Sequence, residues 1–148
     1  MLAQPQEPDM TYSELIQMYF ERSNALQWYW TLYVVVIGGL LAFASIRKQP
    51  DRITTALVTV LYCFFAYKNL DAIHDVTLQR FAILDLIKQI PTSGAANIAA
   101  KAIDPTLNPP TFESVRTFHI ASDALTVLAL WAMELRRRRA SSGGGAAS

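Results

Sequence analysis

Residues 28–46 read WYWTLYVVVIGGLLAFASI, a stretch with no charge and no proline. In an α-helix, at about 1.5 Å per residue, it is long enough to cross a hydrocarbon core of roughly 30 Å. Trp28, Tyr29, Trp30 and Tyr33 gather at its start, where ring-bearing side chains form an interfacial belt. Arg47 and Lys48 follow its end. The segment therefore predicts a transmembrane helix that enters at an aromatic interface and leaves at a basic one.

The helix extends upstream. Thr11 and Glu14 form a Thr-x-x-Glu capping box, which puts the start near Tyr12. Leu15, Ile16, Met18, Tyr19, Phe20 and Leu26 supply a packed face for a portion projecting beyond the bilayer. Residues 1–10, with Pro5 and Pro8, are expected to be a disordered lead-in. Glu7, Asp9, Glu14 and Glu21 outnumber Arg22, so the start lacks the positive region of a cleavable signal peptide.

Downstream, residues 47–52 make a short basic turn broken by Pro50, and a second span covers 53–70 with Lys68 snorkelling to the interface. No breaker occurs before Pro91, and Ile73, Val76, Ile83, Ile87 and Ile90 recur at helical spacing, so one long helix is predicted. Residues 71–117 form the connection, in which Ser93 could cap a short helix over 95–103. A third helix starts near Thr111, spans 118–135 and is expected to end at Arg136, Arg137, Arg138 and Arg139. Residues 140–148 read as a flexible tail or linker.

The fold class is thus an all-α integral membrane protein of three transmembrane helices, the first two extended beyond the extracytoplasmic face. Composition agrees: 52% of the 148 residues are hydrophobic and 17% charged, and the charges lie between the apolar runs. Residues 11–139 read as a single domain. Arg47, Lys48 and Arg52 in the turn and the four terminal arginines mark the cytoplasmic side, which leaves the N-terminus outside in a multi-pass cell-membrane protein. The arginine run follows an apolar helix without aromatic or glycine interleaving, which argues against nucleic acid as a partner. It reads as a topology determinant that also contacts anionic lipid. Cys63 is the lone cysteine, expected to be a small packing residue within the membrane.

Three constellations are candidates for function. His74, His119, Asp71, Asp75 and Asp123, with Glu21 and Asn24, fall at similar heights near the outer face. Asp71/Asp75 and His119/Asp123 have the i,i+4 spacing that puts both side chains on one helix face. Imidazoles and carboxylates in a bundle suit a divalent metal, although no cofactor is called for by any motif. Salt bridges to Arg22, Lys68, Arg80 and Arg116 are the structural alternative. Asp123 stands apart because a carboxylate inside an apolar span is costly unless it faces protein, water or a partner. His119 one turn away suggests proton or cation handling, and hydrogen bonds to Thr31, Ser122 or a neighbouring subunit suggest packing. Gly38, Gly39 and Ala42, finally, permit close helix approach within the chain or between copies.

These features support three functional readings. The preferred one is a non-enzymatic, self-assembling or accessory subunit of a membrane complex, with the lipid bilayer and a second copy or another membrane subunit as partners. The second is a homo-oligomeric ion or proton channel using Asp123 and His119. The third is a membrane metalloprotein with the histidine and carboxylate layer as its site. Catalytic motifs are absent: there is no Gly-x-Ser-x-Gly and no glycine-rich phosphate loop.

Overall fold

The computed structural model describes residues 10–89, 103, 105 and 107–143. Among these are three long helices, α1 (Tyr12–Ile46), α2 (Arg52–Gln89) and α3 (Phe112–Gly143). Each contains a stretch long and apolar enough to cross a membrane. The expected lead-in before Met10, the short helix after Ser93 and the final residues after Gly143 lie outside the described residues.

The helix starts follow from side-chain caps. At α1 the Thr11 N–H donates to Glu14 Oε2 at 2.7 Å and the Glu14 N–H donates back to Thr11 Oγ1 at 3.3 Å, so both limbs of the capping box form. These bonds hold the Glu14 carboxyl below its usual range. Asp51 caps α2 by accepting from the N–H groups of Ile53 and Thr54. The Thr54 hydroxyl and these N–H groups keep the Asp51 carboxyl low as well. Thr111 caps α3 through the Ser114 N–H at 3.5 Å.

The arginine run does not end α3, contrary to expectation. Arginine and alanine are good helix formers, and the helix continues through them to Gly143. In the last turns, the hydroxyls of Ser141 and Ser142 donate back to the Arg138 carbonyl. α2, by contrast, is the single uninterrupted helix that its spacing predicts.

The chain divides into two compact units, Met1–Leu26 with Asp75–Pro109, and Gln27–His74 with Pro110–Ser148. The first has a core of Leu15, Tyr19, Ile83, Leu84, Ile87 and Leu107, with Tyr12, Ile16 and Ile103 packed against it. Its apolar positions are those whose 3.6-residue spacing gives α1 and α2 one buried face each. Arg80 is buried here; its guanidinium lies over the Tyr19 ring and donates to the Tyr19 hydroxyl at 3.1 Å.

The second unit adds buried polar groups to a buried apolar interior. Trp28, Val34, Val35, Ile46, Ile53, Leu57, Phe64, Leu125 and Leu128 are exposed, whereas Thr55, Asn69, His119, Thr126 and Glu134 are buried. Large apolar side chains cover the outside, and these polar groups lie inside among buried Tyr33, Ala44, Tyr62, Ala66, Ile73 and Leu130.

Candidate functional site

The inward polar groups of the second unit form two clusters. The first is centred on Asp123. Its Oδ1 accepts hydrogen bonds from the Tyr33 hydroxyl of α1 at 2.9 Å and the Tyr62 hydroxyl of α2 at 2.7 Å. Its Oδ2 lies 2.8 Å from His119 Nδ1, one turn earlier on α3. The other ring nitrogen of His119, Nε2, is 3.3 Å from Asn69 Nδ2 on α2. His119 is completely buried and stacked on the Tyr33 ring at 4.1 Å between centroids. Each helix thus contributes to one network.

Nδ1 faces the Asp123 carboxylate and Nε2 faces the Asn69 side-chain amide, so which ring nitrogens carry protons depends on which way that amide is turned. Asn69 Oδ1 is buried with no hydrogen-bond partner among the described residues.

The second cluster was not anticipated from sequence. Glu134, 1% exposed, accepts from Arg137 Nη1 at 3.2 Å and Arg138 Nε at 3.1 Å, and from the Thr55 hydroxyl at 3.4 Å. Arg137 also donates to the Ala44 carbonyl, and Arg47 donates to Thr55 Oγ1. The ends of α1 and α3 and the start of α2 are tied together at one carboxylate. The i,i+3 and i,i+4 spacing of Glu134 to Arg137 and Arg138 is the signal that could have found it.

The remaining sequence candidates are scattered. Asp71 pairs with Lys68 at 3.3 Å on the surface, and the His74 ring packs on Phe112 at 4.3 Å. Asp75 is exposed on α2. Among the described residues no three of histidine, cysteine, aspartate and glutamate come together as a metal-binding group. His119 and Asp123 are the candidate pair that does meet.

Three further expectations are corrected. Asp123 takes neither Thr31 nor Ser122 as a partner: the Thr31 hydroxyl donates to the Gln27 carbonyl, and Ser122 offers its carbonyl to Thr126. Tyr33, read as part of the aromatic belt, is buried against His119, because a tyrosine within an apolar span needs an acceptor for its hydroxyl. Cys63 is exposed rather than packed. Gly38, Gly39 and Ala42 also face outward, and a Cβ placed on either glycine would meet nothing within 4 Å. Of the four arginines, Arg136 and Arg139 are exposed, while Arg137 and Arg138 are engaged by Glu134.

A groove of about 690 Å³ opens beside Asp123, walled by Tyr62, Cys63, Ala66 and Leu70 of α2 and by Ile120, Ala124 and Val127 of α3. It is the place where the first cluster meets the exterior.

Comparison with protein-family models, characterised proteins and solved structures finds no match. The functional reading therefore rests on the geometry alone.

Proposed function

We propose that this chain is a multi-pass integral membrane protein that works as a non-enzymatic subunit, self-assembled or docked onto a larger membrane complex. The observation that carries the proposal is the outward surface of the second unit, which is apolar and includes the unoccupied Gly38, Gly39 and Ala42 face. In water such a surface would be a large uncompensated apolar patch. In lipid it is the expected exterior, and small residues on it let another helix approach closely.

The helix lengths extend this reading. α1 and α2, with 35 and 38 residues, measure about 52 and 57 Å at 1.5 Å per residue, well beyond a hydrocarbon core of roughly 30 Å. With Arg47, Lys48, Arg52 and the terminal arginines on the cytoplasmic side of a cell membrane, the excess projects on the extracytoplasmic side. Native mass spectrometry from lipid nanodiscs tests the assembly: a homo-oligomer or a heteromeric mass is expected, and a monomer at native lipid content would refute it.

The His119 and Asp123 pair favours a second reading, a membrane proton or ion pathway within such an assembly. A histidine beside a carboxylate, joined to two phenols, can take up and release a proton. Proteoliposomes should then show a pH-gradient-driven proton flux that Asp123→Asn abolishes. Equal flux in both would remove this reading and leave the cluster as packing glue. The metal reading lacks a carrier, since His119 and Asp123 supply two donors where a zinc site uses three or four protein ligands.

A further inference from the structure

Among the described residues no lysine or arginine pairs with Asp123. The two tyrosines donate hydrogen bonds but no charge, and His119 Nδ1 lies against Oδ2. The described ion pairs of lysine and arginine go to Asp51, Asp71, Glu113 and Glu134, and none reaches Asp123. A carboxylate offers about four acceptor positions, and three are filled. Its side chain is 22% exposed, and it lines the groove between α2 and α3.

We propose that this groove is a binding site for a lipophilic ammonium compound, whose charged nitrogen pairs with Asp123 and whose apolar body lies along Ala66, Leu70, Ala124 and Val127. A carboxylate in an apolar wall attracts a monocation strongly because little solvent screens it. A hydrated inorganic ion would lose its shell against this lining, whereas an alkylammonium brings its own apolar surface.

The proton is the competing monocation, taken up by His119 beside Asp123. A proton on His119 Nε2 would face the Asn69 Nδ2 hydrogens. Turning the amide over would satisfy Nε2–H with Oδ1 but leave the buried Nδ2 without its present acceptor, trading one unmet group for another. A second copy of the chain is the other competing occupant, through the exposed Tyr67 and Leu128 at the groove's rim.

The test is equilibrium binding of radiolabelled dodecylamine, protonated at pH 7, to the full chain in phosphatidylcholine nanodiscs, corrected for uptake by empty discs. A single saturable site per chain is expected, with dodecanol and dodecanoate failing to compete. Asp123→Asn should weaken binding by about tenfold or more. Since Asp123→Asn disturbs the network, Ala124→Leu is the companion variant: Ala124 is exposed, and a leucine there fills the groove without touching a hydrogen bond. Its loss of binding with unchanged helicity supports the site. Equal competition by dodecanol, or undiminished binding by both variants, would overturn it. So would the absence of a saturable site, whether accompanied by a doubly protonated His119 in nitrogen-15 spectra or by Cys63 cross-linking between two chains.

Discussion

The Tyr33 hydroxyl on α1 donates to Asp123 on α3 at 2.9 Å, and the Tyr62 hydroxyl on α2 shares the same oxygen. Two phenols from two helices therefore converge on one carboxylate of the third. Hydrogen bonds to a charged group contribute about 1.5–3 kcal/mol each, so Tyr33→Phe or Tyr62→Phe should destabilise the second unit by that amount. Because both bonds share Oδ1, the double variant should depart from additivity. Unfolding of the three variants in mixed micelles measures this, and strict additivity would show that the phenols act independently.

Glu134 is expected to be the larger stability determinant. Breaking a buried ion pair by removing one partner typically costs about 3–5 kcal/mol, and Glu134→Ala would strand Arg137 as well as Arg138. The same unfolding measurement should place Glu134→Ala well below either tyrosine variant. A loss under about 1 kcal/mol, the range of exposed pairs, would mean that water reaches this end of the helices.

Gly39→Leu separates folding from assembly. Nothing lies within 4 Å of a Cβ at this position, and glycine inside a helix is unfavourable by about 0.5–1 kcal/mol, so the substitution should leave chain stability unchanged or raise it by up to that amount. Oligomer mass in nanodiscs should nevertheless fall if α1 docks another helix through this face. An unaltered oligomer would move the docking surface elsewhere.

In the first unit, Ile87→Ala removes a buried side chain from the core that Leu15, Tyr19 and Leu107 share. The cost should be about 2–5 kcal/mol. Hydrogen exchange along residues 75–89 reads it directly, and unchanged protection there would mean that this core does not hold the end of α2.

The capping box gives α1 a pH-dependent start. The folded Glu14 carboxyl titrates below its ordinary value because the Thr11 backbone N–H, and secondarily its hydroxyl, bonds to it. The stabilisation is therefore complete above the ordinary glutamate range and is lost as pH falls through the lowered folded value. Amide exchange in the first turn should accelerate, relative to the intrinsic rate, over that acidic window. Glu14→Gln should abolish the dependence.

The helices were legible because their signals are local. Thr11 with Glu14, the breaker-free run before Pro91 and the uncharged 28–46 segment each depend on neighbours in sequence, and α1 and α2 begin and end close to where those signals put them. The spacing of His119 and Asp123 was legible for the same reason. What joins them to α1 and α2 was not: Tyr33 has the composition of an interfacial belt, and only tertiary packing turns it inward against His119. Cys63 misled in the opposite sense, and the outward Gly38 and Gly39 leave contact with another copy as the open half of their reading, since small residues permit contact without requiring it. Glu134 was overlooked beside a run of arginines that reads as a solvated end, although its helical spacing to two of them was on view.

That carboxylate also sets the electrostatic valence of the helix end. With Glu134 holding Arg137 and Arg138, the four-arginine run presents Arg136 and Arg139 to its surroundings. If the proposed membrane placement holds, at about 1 kcal/mol per basic residue near an anionic leaflet the attraction would correspond to roughly two charges rather than four. Any event that discharged Glu134 would free Arg137 and Arg138 from their ion pairs, so in a bilayer one buried side chain would govern how many charges this terminus presents.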